Sequence, residues 1–86
     1  ALFFDADHRY TPMARDLDQW LPKVKPGGLV FGHDFECHAS EADKFDLLAH
    51  CEKDFVNGRH YGVIRAVCEQ FPEVKRDGRI WFTTRG

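Results

Sequence analysis

Two stretches of this 86-residue chain set acid and histidine side by side just after an apolar run. In "ALFFDADH", Asp5, Asp7 and His8 follow four apolar residues; in "LVFGHD", Gly32 leads into His33 and Asp34. Carboxylates and imidazoles that converge on one cleft could hold a divalent cation. Oxygen ligands suit Mg²⁺, and added imidazole widens the choice towards Mn²⁺, Fe²⁺ or Zn²⁺. A histidine beside such an ion could instead be a general base, because its ordinary pKa lies near neutrality. The same residues also have a purely structural reading, in which Asp5 caps the turn after a strand and His33 is a satisfied loop histidine.

Whether these residues meet depends on the elements that carry them. Residues 1–4 are wholly apolar, which suits a strand covered on both faces in a parallel sheet. Thr11 as N-cap and Pro12 as first helical residue start a helix, and Met13, Leu17, Trp20, Leu21 and Val24 form one apolar stripe along it. Pro22 ends that helix near Leu21, and "KPGG" makes a turn into a second apolar strand, Leu29-Val30-Phe31. Strand, helix and strand over this length form a βαβ unit. Its strands lie about 5 Å apart, and ligands bind beyond the carboxyl ends of such strands. Asp5, His8, His33 and Asp34 would then share one pocket.

Further along, Ser40 with Asp43 resembles a capping box before a helix that turns Phe45, Leu48, Cys51 and Phe55 inward and stops at Asn57-Gly58. A shorter helix presents Val63, Ile64, Val67 and Phe71 on one side and closes at Pro72. "EVKRDGRIWFTT" reads as a hairpin around Asp77-Gly78, a favoured type I′ pair. Trp20, Phe45, Phe55, Phe71 and Trp81 fall at core positions. The whole is a single α/β domain over residues 1–86, with no internal repeat or linker.

Composition narrows the partners. Twelve basic and 14 acidic residues leave a net charge of −2, which gives no electrostatic case for nucleic acid or an anionic membrane. No apolar run is long enough for a membrane helix. Cys37, Cys51 and Cys68 lack CxxC spacing and read as free thiols in a reducing cytoplasm. Cys37-His38 and His50-Cys51 contain zinc-ligand types without the usual ligand spacing. Arg59, His60 and Tyr61 precede a helix start, where an anion or substrate could bind, although a solvated loop is the simpler account of them.

Taken in order, "FFDADHRYTPMARDLDQWLPKVKPGGLVFGHDF", then "GVIRAVCEQF" and "GRIWFTT", resemble the carboxyl-terminal half of a class I S-adenosylmethionine-dependent methyltransferase. The likeness is dense over residues 1–35 and loose over 62–84; residues 36–61 have no counterpart in it. The resemblance implies a partial Rossmann-like sheet, made of the fourth and fifth strands and a final antiparallel pair. It implies methylation of a small-molecule hydroxyl, S-adenosylmethionine as cofactor in the complete protein, and a divalent metal such as Mg²⁺. On the pattern of metal-dependent relatives, Asp5, His33 and Asp34 would be the metal ligands and His8 the catalytic base. His33 stands where that pattern more usually has an acid. No G-x-G-x-G turn occurs in the sequence, so the resemblance implies a portion of an enzyme that does not hold the cofactor alone.

Other readings begin from the same opening. D-x-D after an apolar strand also resembles the haloacid-dehalogenase-like phosphatases, with Asp5 as nucleophile and Asp7 as acid/base, although Arg9 stands where that pattern has Thr. Glycosyltransferases use D-x-D on a metal–nucleotide-sugar, but that leaves "KPGG" and "GHD" unexplained. A non-catalytic module is a third reading: half of a parallel sheet leaves an edge and an apolar face bare, which predicts a homo-oligomer.

Overall fold

The computed structural model describes residues 2–4 and 7–85. β1 (Leu2–Phe4) leads to α1 (Tyr10–Trp20), and a 3₁₀ turn at Leu21–Lys23 precedes β2 (Leu29–Gly32). A second 3₁₀ turn, Ala39–Glu41, and the short α2 (Lys44–His50) come before α3 (Tyr61–Gln70). The hairpin of β3 (Lys75–Asp77) and β4 (Ile80–Thr84) closes the chain.

β1 and β2 are parallel, with Phe3 opposite Phe31 and Phe4 opposite Gly32. β4 runs antiparallel to β2 and separates it from β3, giving the order β1-β2-β4-β3. This mixed α/β arrangement is consistent with the expected partial Rossmann-like fold. No helix among the described residues is long and apolar enough to cross a membrane.

The core lies between the sheet and the helix pair α1 and α3. Phe4, Val30 and Trp81 from the strands meet Met13 and Leu17 of α1 and Val63, Ile64 and Val67 of α3, with Phe35 among them. The expectation of cover on both sheet faces is not met within this chain, since Phe3, Leu29 and Ile80 stay exposed. Trp81 and the half-buried Phe71 pack in or against the core as expected. Trp20, Phe45 and Phe55 do not, being 41%, 86% and 55% exposed. For Phe45 and Phe55 the reason lies in α2, which ends at His50 and turns Leu47 towards the core. Phe45 and Leu48 therefore face outward, and Phe55 lies beyond the helix.

Local details shift several boundaries. Arg9, not Thr11, is the N-cap of α1; Thr11 sits in the first turn, where its N–H and hydroxyl donate to Glu52 at 3.0 and 2.5 Å. Pro12 is harmless there, because first-turn amides have no intrahelical partner. The capping box belongs to His38 and Glu41, while Asp43 is the N-cap of α2 and accepts from the Phe45 and Asp46 amides. In the hairpin Asp77 pairs with Ile80, so the loop is Gly78-Arg79, with positive φ at Gly78 alone, the type II′ pattern. The one-residue shift lets the Arg79 carbonyl accept the Phe35 N–H at 3.1 Å and the Arg79 guanidinium reach Glu36 at 3.0 Å.

One contact governs the edge beyond β1. Gly62, in the first turn of α3, lies so close to the His8 and Cys51 carbonyls and the Tyr10 amide that a Cβ there would collide with all three. The Tyr10 N–H also donates to the Cys51 carbonyl at 2.7 Å. In an open helix Gly→Ala would gain about 1 kcal/mol. Here Gly62→Ala is expected to destabilise by at least about 2 kcal/mol through overpacking against backbone, measured by urea unfolding; an unchanged or raised midpoint would contradict the close approach.

Candidate metal-binding site

Past the end of β2 the chain turns sharply. Asp34 adopts φ 65°, a left-handed conformation that Asp tolerates better than most residues. The turn sends Phe35 into the core, where it is fully buried, and leaves His33 and Asp34 at the sheet edge. His33 Nδ1 lies 2.6 Å from Asp34 Oδ2, and its ring is 5.3 Å from that of Phe3. Past β1, the Asp7 carboxylate accepts the Arg9 N–H at 2.9 Å and the Arg9 guanidinium at 2.6 Å. Those Arg9 hydrogen bonds, side chain before backbone, draw the Asp7 carboxyl down to about 2. A carboxylate held ionised in this way is ill suited to the acid/base role that the phosphatase reading requires.

The turn carries His8 to the same edge. His8 Nε2 lies 2.8 Å from Asp34 Oδ2, so one carboxylate oxygen has an imidazole nitrogen on each side. His8, His33 and Asp34 thus meet, with one ligand atom from each within 4.8 Å of the others. Asp5, the remaining expected ligand, lies outside the described residues.

The segment without a counterpart in the resemblance supplies three more groups. Asp54 Oδ1 sits 2.6 Å from His8 Nδ1. Glu36 accepts the His60 backbone N–H at 2.7 Å, approaches His60 Nδ1 at 2.7 Å and accepts from Arg79 at 3.0 Å. The buried His60 ring is 4.6 Å from that of His8. At His60, the site offered to an anion before α3 is therefore taken by the chain's own Glu36. His60 was legible as a residue before a helix start; Glu36 and Asp54 carry no motif, and only the fold brings them here.

The electrostatics follow from this crowding. For His8, burial opposes the charged form, but the Asp54 hydrogen bond and the Asp34 and Asp54 charges outweigh it and raise the pKa. Burial likewise pushes Asp34 up, and the hydrogen bond and charge of His33, with the charges of His60 and His8, bring it below its ordinary value. Glu36 is also lowered: burial is overcome by the backbone and ring of His60 and by Arg79.

The donor set, two imidazoles and a carboxylate with a further carboxylate behind, fits a divalent cation. The cysteine pairs do not contribute. All three cysteines are free and buried, burial raises the Cys37 and Cys68 thiols, and none belongs to a potential ligand group among the described residues. His38 is spent on the 3₁₀ turn that it caps and on the Pro72 carbonyl, 3.0 Å away. Gly27 and Gly28 lie in the turn before β2. The Gly27 and Gly28 amides donate within the chain, to the Arg85 and Lys25 carbonyls.

Because Glu36 is lowered in the folded state, its stabilising contribution is complete above the unfolded value near 4.5 and is lost as pH falls through the folded value. Glu36→Gln is expected to cost roughly 1–3 kcal/mol at pH 6. The gap to wild type in thermal midpoint should shrink steadily towards pH 3; a constant gap would show that the carboxylate's charge is not what stabilises the fold.

Residues 1–35 match a family model described as a methyltransferase domain. The comparisons with curated proteins and with solved structures gave no match. The matched stretch contains β1, α1, β2, His8, His33 and Asp34, whereas Glu36, Asp54 and His60 lie beyond it. That match supports a methyltransferase domain as the source of the strand-end cluster.

Proposed function

We propose that this chain is part of an S-adenosylmethionine-dependent methyltransferase of class I, contributing the side of the active site that binds and activates the hydroxyl of a small-molecule acceptor. The observation that carries this reading is the meeting of His8, His33 and Asp34 at the carboxyl edge of two parallel strands, inside the segment that matches a methyltransferase domain. That edge is where ligands of parallel α/β sheets bind.

His33 and Asp34, with Asp5 by resemblance, are the residues that would hold a divalent cation. Such an ion, when bound, supplies Lewis acidity that lowers the pKa of a coordinated hydroxyl. His8 faces the same cleft, and the resemblance casts it as the base. The glycine-rich half of the cofactor site is not among these residues, so the methyl donor would be held chiefly by other parts of the enzyme.

The test is methyl transfer from labelled S-adenosylmethionine to a panel of catechols, phenols and sugar hydroxyls by the protein that carries this chain. Transfer should need a divalent ion, stop with EDTA and return on adding back Mg²⁺ or Mn²⁺. Asp34→Asn should lower turnover at least about 100-fold, the upper end of what lost metal-site contacts cost. Full turnover by that variant, or transfer indifferent to EDTA, would remove the metal-assisted reading.

A further inference from the structure

We propose that His8 is a metal ligand rather than the base, that Asp54 is its positioning carboxylate, and that a centre with two imidazoles among its ligands prefers Zn²⁺, Fe²⁺ or Co²⁺ to Mg²⁺. This rests on the reading that the strand-end cleft holds a divalent cation, and concerns which residues take it and which ion they choose.

The geometry is specific. Both His8 Nε2 and His33 Nδ1 aim at one atom, Asp34 Oδ2, from 2.8 and 2.6 Å. Ligand atoms about 2.1 Å from a tetrahedral first-row metal lie roughly 3.4 Å apart, so these hydrogen-bond contacts need open by less than about 1 Å to admit an ion. A base would need its nitrogen turned towards an incoming hydroxyl; His8 Nε2 is turned instead towards the shared carboxylate.

The other face of the ring supports the same assignment. Asp54 Oδ1, only 2.6 Å away, engages Nδ1, which leaves Nε2 as the ring atom facing Asp34. Carboxylate, histidine and metal in line is the usual arrangement behind a metal-bound imidazole, where the outer carboxylate fixes the tautomer and raises ligand basicity. Nitrogen donors move the preference from Mg²⁺ towards later first-row ions, and among the described residues two of the three donors are nitrogens.

Four variants of the chain, His8→Ala, Asp34→Asn, Asp54→Asn and Asp54→Glu, can be compared with wild type using Co²⁺ and Mg²⁺ alone as probes. Calorimetry gives affinity, and visible Co²⁺ bands report nitrogen coordination. Wild type should bind one Co²⁺ with histidine-type bands and take up Mg²⁺ at least about 100-fold more weakly. His8→Ala should lose the bands. Asp54→Asn should weaken Co²⁺ binding about 10–100-fold, and Asp54→Glu should restore part of it. The Asp54 side chain is 73% exposed, so its variants should fold, which the metal-free thermal midpoint checks. Wild-type affinity in folded Asp54→Asn, or unchanged bands in His8→Ala, would overturn the proposal. Mg²⁺ binding that needs Asp34 but not His8 would overturn it while leaving metal-assisted methyl transfer standing. Failure of wild type to bind either ion would overturn both.

Discussion

The arrangement of the site depends on the absence of a single methyl group. At Gly62 the first turn of α3 approaches the backbone of His8, Tyr10 and Cys51 more closely than any side chain allows. That approach brings together three parts of the chain distant in sequence: the stretch after β1, the loop after α2, and the start of α3. Once they are packed, the Tyr10 amide reaches Cys51, Asp54 reaches His8, and the His60 ring meets the His8 ring edge-on. A larger residue would push α3 outward and separate these contacts together.

A second set of contacts fixes the opposite wall. Asp34 in its left-handed turn drops Phe35 into the core and aligns Glu36 with His60 and with Arg79 from the hairpin loop. The side chains with chemistry to offer are thus held from behind by a core aromatic, an ion pair and a helix start. Support of this kind would keep the proposed ligand cluster in place before anything binds, because orienting groups behind a metal ligand decide its direction. The acids also hold their charge here, since the histidine and arginine partners of Asp34 and Glu36 more than offset burial.

Much of this was legible in the sequence, and the exceptions are instructive. The βαβ unit could be read because apolar runs, a helical stripe and "KPGG" all agree, and the strand ends then place His8, His33 and Asp34 together. The hairpin was legible in kind but shifted by one residue, because Gly78 satisfies a type II′ turn as readily as a type I′ one, and tertiary contacts of Arg79 decide between them. Phe55 misled, since a helical spacing of aromatics signals burial only if the helix runs long enough to carry them, and α2 stops at His50; Phe45 misled because α2 turns Leu47, not Phe45, to the core. Asp54 and Glu36 had no local signature at all. Each is an ordinary charged loop residue whose role exists only after α3 has closed on the sheet.

The central claim is that two strand ends, brought together by the fold, form one cation site. Anomalous diffraction from crystals of the chain soaked in Mn²⁺ tests it most directly. The account predicts a manganese peak within bonding distance of His33 Nδ1 and the Asp34 carboxylate, with His8 Nε2 completing the group. A peak elsewhere, or none while His8 and His33 still hydrogen-bond Asp34, would contradict it.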